Sequence, residues 1–464
     1  MSAPERQASF WCETGWINGA PADGVRVEVD AGGMVTASET GVPPRPEDCR
    51  LSGVTFPAAS NAHSHAFHRI LRGRTHDAGP GSFWTWREQM YGAAGALTPD
   101  LYGQLATAVF AEMVVTGWTS VAEFHYVHHQ PDGSAYAEEH AMERALARAA
   151  VAAGIRLTLL DTCYLAGGFG TPLSAGQLRF GDRDAAAWLQ RLASLRTALA
   201  EEFDPAQVSV GAALHSVRGV PEAALAVIAA KLPADLPLHI HLSEQPAENE
   251  ACLAATGLTP ARLLAKHGLV TGRLSAVHAT HLSAEDIRVL GEAGATVVLC
   301  PTTEADLADG IGPAAELRAA GARLALGTDQ HAVVDPWLEM RALEHGERLR
   351  SGARGRFAPA DLHAAVSAAG TAAQGRPDPG LTVGNVCDLM SVNPGSLRTA
   401  GARPGQLALA ATAADVHTVV VGGRILARNG EHALLGDPAA LLSAAIGAVD
   451  SSRILTPATT TEVP

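Results

Sequence analysis

The stretch that decides the fold is residues 54–65, VTFPAASNAHSH, an apolar run that ends in a His-x-His pair. On a strand, residues i and i+2 point to the same side, so His63 and His65 can offer two imidazoles to one metal ion. Taken alone, the pair is better explained as two histidines on a polar strand face. Three later residues reverse that preference, because each ends its own predicted strand: His241, His278 and Asp329.

The composition indicates a globular chain of enzyme size. Its 464 residues are 47% hydrophobic, which is enough for one large core and a smaller one. The formal charge is -14, and Lys231 and Lys266 are the only lysines. A nucleic-acid partner needs a basic face, so we expect none.

The cysteines and the N-terminus indicate the compartment. The six cysteines are scattered singly with no C-x-x-C, which favours neither a disulfide framework nor a thiolate zinc site. Residues 1–10 are polar and charged, and no apolar run reaches membrane-spanning length. We therefore expect a cytoplasmic enzyme without an export signal or membrane anchor.

Segments of β character flank a middle region of alternating strand and helix patterns. Val25–Val29 lies near the start, and residues 416–427 form a hairpin pattern around Gly422-Gly423. We expect both termini to build one small β domain, from residues 1–56 and from residues 383–450, the latter with a terminal helix. A barrel domain would span residues 57–382, and residues 451–464 would be a flexible tail.

The middle region predicts a (β/α)8 barrel. Stretches of helical period separate eight strand-like runs, at residues 54–65, 119–126, 155–164, 208–215, 238–244, 274–279, 296–299 and 323–329. In such barrels the active site lies at the carboxyl ends of the strands. A doubly wound sheet is the alternative, but no G-x-G-x-x-G follows a strand.

The carboxyl ends of these strands carry a candidate zinc site. His63, His65, His239, His241, His278 and Asp329 all lie there. Imidazole and carboxylate ligands with an open position are typical of a hydrolytic zinc site, where the metal lowers the pKa of water to about 7.

Within this set we choose His241 over His239 as a ligand. His241 is nearer the barrel mouth, and Glu244 follows it where an acid-base group could meet substrate. A two-metal site often uses a modified lysine on the fourth strand, and residues 208–215 contain no lysine. We therefore expect one metal ion per chain.

These motifs resemble the amidohydrolase superfamily, in its single-zinc deaminase branch. More sharply, seven strings in order resemble the family of formimidoylglutamate deiminases, over about residues 10–435. They are HSHAFHR (63–69), SFWTWREQMY (82–91), EFHYVHH (123–129), LHSVRGV (214–220), HIHLSEQPAE (239–248), LCPTTEADLADGI (299–311) and GTDQH (327–331).

The resemblance implies hydrolysis of N-formimino-L-glutamate to N-formyl-L-glutamate and ammonia, a step of histidine degradation. It implies one zinc ion, or another divalent metal, held by His63, His65, His241 and Asp329. It also implies proton handling by Glu244, His278 and Asp329, and substrate contacts from Arg87, Tyr126, His215 and Arg218.

The chemistry of that substrate agrees with the residues. Its two carboxylates call for arginine forks, and Arg87 and Arg218 are candidates. Either could instead be a solvated surface arginine. The chain departs from the family where His68 replaces a glutamine and Gln330 a serine. His68 could still hold substrate, but the charge of an imidazole varies near neutral pH, so another formimino acid remains open as the substrate.

Other functions remain open alternatives. A deaminase of a purine or pyrimidine would favour an aromatic and amide pocket over paired arginines. A metal-binding scaffold without catalysis does not explain why the whole acid-base set is present. His125, His128 and His129 follow the second strand, and we expect exposed loop histidines among them rather than ligands. As an assembly we expect a homodimer acting on a small dicarboxylate.

Overall fold

The computed structural model describes residues 4–75 and 83–455. Within these ranges the strands form two sheets of eight. In chain order they are β1 (Ser9–Ile17), β2 (Ala20–Val29), β3 (Val35–Glu39), β4 (Cys49–Pro57), β5 (Ala59–Ser64), β6 (Trp118–His125), β7 (Arg156–Cys163), β8 (Val208–Leu214), β9 (Leu238–Leu242), β10 (Leu274–His278), β11 (Thr296–Leu299), β12 (Arg323–Leu326), β13 (Leu389–Val392), β14 (Val416–Val421), β15 (Arg424–Arg428) and β16 (Glu431–His432).

Strands β5 to β12 form a parallel barrel. Each strand pairs with its neighbours in sequence, and a bridge between Ser64 and Asp329 joins the first strand to the segment after the last. A doubly wound sheet would instead reverse its strand order at a switch point. The predicted (β/α)8 barrel is confirmed.

Helices surround this barrel and begin and end with the expected residues. In α2, for example, the Thr98 side chain accepts a hydrogen bond from Leu101 N, Pro99 occupies the first turn, and Gly117 ends the helix at φ 109°. The α-helices are α1 (Phe83–Gly95), α2 (Pro99–Thr116), α3 (Ala141–Ala153), α4 (Ala185–Glu202), α5 (Glu222–Lys231), α6 (Pro246–Thr256), α7 (Pro260–Lys266), α8 (Ala284–Glu292), α9 (Pro301–Asp306), α10 (Ala314–Ala320), α11 (Pro336–Ser351), α12 (Pro359–Val366), α13 (Ala368–Gln374) and α14 (Pro438–Leu455).

The second sheet combines strands from both termini. Its order is β16-β15-β14-β13-β4-β1-β2-β3, and β13 joins the two halves by pairing antiparallel with β4. The hairpin of β14 and β15 turns at Gly422 and Gly423, whose φ angles of 55° and 75° suit the tight turn between twisted strands. The small β domain built from both termini is therefore confirmed as part of the fold.

The apolar run of residues 54–65 is divided between the two sheets, whereas its pattern predicted one strand. β4 ends at Pro57 and pairs with β1 and β13, while β5 begins at Ala59 and pairs with β6. Both segments are largely buried, so the hydrophobic pattern continues across the boundary and does not show the change of sheet.

The C-terminal helix is longer than the sequence suggested. Helix α14 continues to Leu455, so the segment expected to be a flexible tail from Ser451 begins as helix. Residues 456–464 lie outside the described residues. No helix in the described part of the chain has the length and apolar character needed to cross a membrane.

Small apolar residues fill the barrel interior beneath the carboxyl ends of the strands. Ala62, Val277, Val298, Cys300, Ala325 and Ala373 form one buried cluster there. Helix α13 contributes Ala373 and lies directly against β5, and a Cβ atom at Gly370 would be 2.2 Å from Ser60 O. Only glycine allows this close approach of helix and strand.

Gly370→Ala should therefore destabilise the protein by about 1–3 kcal/mol, because the added methyl group overpacks the contact with β5. Gly447→Ala is the matched control. Gly447 lies in helix α14, and a Cβ atom there meets no atom within 4 Å. Alanine at that position should leave stability unchanged or raise it, since glycine is a poor helix former. Chemical denaturation of both variants measures the difference, and equal stability would contradict the close approach.

Candidate active site

The ends of β5, β9 and β12 bring four donor atoms together. His63 Nε2 lies 3.1 Å from Asp329 Oδ1, and His65 Nε2 lies 3.4 Å from the same oxygen. His241 Nε2 is 3.2 Å from the Nε2 atoms of both other histidines. Donors about 2.0–2.1 Å from a tetrahedral zinc ion are separated by roughly 3.3 Å, so this spacing fits a metal ion at the centre of the group.

Two of these imidazoles are held with Nε2 facing the centre. His65 Nδ1 donates to Phe124 O at 2.8 Å, and His241 Nδ1 donates to His215 O at 2.9 Å. A proton on Nδ1 leaves the lone pair of a neutral ring on Nε2, where a metal would bind. Burial, together with the neighbouring histidines, also holds the pKa of both rings well below its usual value.

The carboxylate of the group is ionised. Burial by itself would raise the pKa of Asp329, but the hydrogen bond and charge of His63, with further charge from His278, lower it below its usual value. The backbone fixes the same pair, because Asp329 N donates to His63 O and His65 N donates to Asp329 O, both at 3.0 Å. A Cβ at Gly327 would be 2.8 Å from His63 O, so a side chain there would separate the two strand ends.

A buried carboxylate on β6 holds the turn between the first two histidines. Glu123 accepts hydrogen bonds of 2.6 Å from Ser64 Oγ and from Ala66 N. Burial raises the pKa of this carboxyl group to about 8. Glu123 thus positions the segment that carries His63 and His65 without facing the cavity described below.

The predicted proton-handling residues lie beside the donor group. His278 Nε2 is 3.7 Å from Glu244 Oε1, and both side chains are almost fully buried. Burial raises the pKa of Glu244. Burial opposes a positive charge on His278, but the Glu244 carboxylate and other nearby acids raise the pKa of this ring. The pair can therefore hold one proton between them at neutral pH.

These groups open into one cavity. Every residue that the sequence predicted to contact substrate lines it: His68, Arg87, Tyr126, His215 and Arg218. Arg218 also forms an ion pair with buried Glu248 on α6, with 3.2 Å between Nε and Oε1. Its guanidinium group is thus a cation fixed in the wall, not a solvated surface arginine.

His68 is a neutral group in this cavity. Burial lowers the pKa of its ring to about 3, so the ring does not change charge near neutral pH as the sequence suggested. Its Nε2 lies 3.0 Å from the Tyr126 hydroxyl. A neutral imidazole offers one donor and one acceptor, as a glutamine amide also can. Gln330, the other departure from the family, donates to Asp306 Oδ2 at 2.8 Å.

His239 and the histidines after β6 lie away from the donor group. His239 Nε2 lies 2.7 Å from Ala373 O, beneath the site. We expected exposed loop histidines among His125, His128 and His129, which is wrong for the first two, because His125 and His128 are buried against Glu143. The side chains of His125, His128 and Glu143 are close enough together to hold a cation. The Arg191 guanidinium already lies 3.0 Å from His128 Nδ1 and supplies the positive charge at that position.

Sequence reasoning missed three residues that matter to the site. Tyr164 lines the cavity at the end of the third barrel strand, and its position at a strand end was the available signal. Glu304 lies 3.5 Å from His278 Nδ1, within the family string 299–311. Glu123 begins the family string 123–129, and an acidic residue within an otherwise apolar strand was the available signal.

Comparison with known sequences agrees with this geometry. The profile of the amidohydrolase family matches residues 54–426, and the chain belongs to that family. It is 38% identical over 426 residues to the formimidoylglutamate deiminase of Pseudomonas aeruginosa, covering 89% of this chain and 91% of that one. An 8-oxoguanine deaminase of the same organism is 32% identical over 389 residues, covering 80% and 81%. The resemblance seen in the sequence is confirmed.

Solved structures share the fold. An amidohydrolase from Brucella melitensis superposes with a TM-score of 0.88 at 34% identity, over 96% of this chain and all of that chain. An adenosine deaminase from Xanthomonas campestris, solved with bound zinc, gives a TM-score of 0.80 at 23% identity, over 98% and 100%. At that identity the second likeness concerns the fold alone.

Proposed function

We propose that this protein is a metal-dependent formimidoylglutamate deiminase, which hydrolyses N-formimino-L-glutamate to N-formyl-L-glutamate and ammonia. The observation that carries the proposal is the cavity itself, where a metal-donor group and a proton-handling pair face two arginines, Arg87 and Arg218. The identity to a relative of that name, over most of both chains, supports it.

We assign the metal to His63, His65, His241 and Asp329. The spacing of their donor atoms suits zinc, and the charge of the four ligands suits a divalent ion. When bound, the metal supplies Lewis-acid chemistry that makes water a nucleophile near neutral pH. His278 also lies close enough to join a ligand group, but its contacts with Glu244 and Glu304 favour a role in proton transfer.

Asp329, Glu244 and His278 can carry out the proton transfers that deimination requires. Asp329, held as a carboxylate, accepts a proton from the water whose oxygen adds to the formimino carbon. Glu244 and His278 share a proton and face the same cavity, so they can deliver it to the imino nitrogen. Asp329 then passes the water proton to the same nitrogen and takes up the proton of the new hydroxyl group, and the bond between this nitrogen and the carbon breaks. Ammonia leaves, the carbon keeps the new oxygen as a formyl group, and the proton on Asp329 returns to the Glu244–His278 pair.

Substrate selection is assigned to other residues that line the same cavity. A substrate with two carboxylates suits a cavity with two arginine side chains, because a guanidinium fork binds a carboxylate through two parallel hydrogen bonds. Tyr126, His68 and His215 add neutral hydrogen-bonding groups to the lining of this cavity.

One observation favours a second candidate, a deaminase of an aromatic heterocycle. Five aromatic side chains line the cavity, Trp86, Tyr91, Tyr126, Tyr164 and Phe180, and an 8-oxoguanine deaminase is among the relatives. A purine could stack on such a wall. A purine has no carboxylate for Arg87 and Arg218 to bind, so a heterocycle deaminase is the weaker of the two proposals.

A turnover assay decides between the two. The purified enzyme should release ammonia from N-formimino-L-glutamate, and far more slowly from a formimino amino acid without a side-chain carboxylate. A panel containing 8-oxoguanine and other aminated heterocycles completes the test. Turnover of a heterocycle without turnover of formiminoglutamate would overturn the proposal and leave only hydrolytic deamination. The homodimer expected from the sequence stays a prediction, which the molar mass in solution checks.

Metal analysis tests the ligand assignment. The active protein should hold about one divalent ion per chain, and chelation should abolish turnover until the ion is restored. His241→Asn should lose the ion, whereas His239→Asn should keep it, because His239 contacts a backbone carbonyl outside the donor group. Two tightly held ions per chain, or equal loss from both variants, would contradict the assignment.

Arg218→Met tests substrate selection. Losing a buried partner of a substrate carboxylate should weaken transition-state binding by about 2–5 kcal/mol, seen as a fall in kcat/KM. Arg218→Lys should restore part of this, since lysine keeps the charge but lacks the fork.

The ion pair of Arg218 with Glu248 calls for a further control. Arg218→Met leaves the buried Glu248 carboxylate without its ion-pair partner, which by itself lowers stability. The double variant Arg218→Met with Glu248→Gln removes that charge as well and so separates lost stability from lost substrate binding. If the double variant recovers wild-type kcat/KM, Arg218 has a structural role only. An equal loss on a substrate lacking the side-chain carboxylate would mean that Arg218 binds the other acid.

A further inference from the structure

The His278 imidazole lies between two carboxylates, one on each side. Its Nε2 is 3.7 Å from Glu244 Oε1, which lines the cavity, and its Nδ1 is 3.5 Å from Glu304 Oε1. Glu304 is not among the described residues that line this cavity. Only one of the two acids can therefore meet substrate, and the other reaches the reaction through His278.

The backbone at the end of β10 adopts an unusual conformation where it carries the His278 ring. His278 and Ala279 have φ angles of 67° and 51°, the left-handed region that residues with a side chain rarely occupy. Two such residues in succession store strain, which persists only where surrounding contacts fix it. Ala279 N donates to Leu242 O at 3.0 Å and so ties the turn to β9.

Glu304 is fixed independently of His278. It lies on α9, and its Oε1 accepts a hydrogen bond of 2.9 Å from Cys300 N, the residue that precedes the helix. The side chain is almost fully buried. The same oxygen that lies 3.5 Å from His278 Nδ1 is therefore anchored to the backbone.

We propose that Glu304 is a positioning residue for deimination, which holds the His278 ring with its proton on Nδ1 so that Nε2 faces Glu244 and the substrate. At 3.5 Å His278 Nδ1 makes no hydrogen bond to Glu304 in this structure, but a buried carboxylate so close to an otherwise unpartnered nitrogen favours a proton on Nδ1 by charge attraction. Proton exchange then takes place at Nε2, on the cavity side. The inference rests on the proposed function, which makes His278 a proton-handling residue.

Two substitutions at Glu304 test the role. Glu304→Leu removes the acceptor at similar volume and should lower kcat about 10- to 100-fold, while KM changes only a few-fold, because Glu304 touches His278 and not the substrate. Glu304→Gln retains an oxygen that can still accept from Cys300 N and that keeps a partial negative charge near His278 Nδ1, so it should recover part of that kcat.

Glu339→Gln is the matched control for damage to helix α9. Glu339 is a fully buried carboxylate that accepts hydrogen bonds from Thr302 N and Thr302 Oγ1, on the same helix. This substitution should reduce stability while leaving kcat within about threefold of wild type. A fall in kcat equal to that of Glu304→Leu would mean that Glu304 only supports the helix, and would overturn the proposal.

A spectroscopic measurement makes the test independent of the substrate. Long-range proton–nitrogen correlation of the zinc-loaded protein, with the His278 signal assigned by its loss in His278→Asn, reports which ring nitrogen carries the proton. Wild type should show His278 protonated at Nδ1, and Glu304→Leu should shift the proton population toward Nε2. An unchanged His278 signal, or kcat within twofold of wild type in Glu304→Leu, would refute the positioning role.

The two proposals can fail separately. If the wild-type enzyme does not turn over formiminoglutamate, the proposed function is wrong, and the nitrogen spectrum still decides whether Glu304 sets the protonation of His278. If turnover occurs and Glu304→Leu matches wild type in both kcat and spectrum, the function stands and the role of Glu304 is refuted.

Discussion

Closure of the barrel between β5 and the segment after β12 is the interaction on which the rest of the site depends. Backbone hydrogen bonds from Thr328 N and Asp329 N to His63 O, and from His65 N to Asp329 O, join residues far apart in the chain. They place the aspartate oxygen within reach of both histidine nitrogens. A ligand group set up by backbone bonds loses little conformational entropy when it takes up a cation.

The same edge of the barrel carries much of the strained backbone. Ser243, His278, Ala279, Asp329 and His331 all have positive φ angles at or just beyond the ends of β9, β10 and β12. Such conformations cost of order 1 kcal/mol or more each, and they persist where the fold fixes them. Here they turn side chains toward one cavity, so part of the stability supplied by the buried core is given up to orient the reacting groups.

The sequence predicted the features that depend on periodicity and on strand ends. Eight buried strands and polar residues after them were enough to derive the barrel and the wider set of strand-end candidates. The family resemblance then implied which four of them, His63, His65, His241 and Asp329, would hold the metal. Contacts between distant elements were not accessible in this way. That Glu248 on α6 would pair with Arg218, or that Glu304 would lie behind His278, depends on how helices pack on the barrel, which no local pattern contains.

Burial explains how an acidic protein can hold an acidic substrate. The chain carries a formal charge of -14, which disfavours a dicarboxylate at long range. Screening by salt weakens that repulsion beyond about 8–10 Å, whereas charges inside a water-poor cavity act at short range and high strength. Arg218 is fixed in such a wall by Glu248, and His68 is kept neutral by burial. In the proposed function, selectivity for the acid therefore depends on these few buried groups, and the surface charge has little part in it.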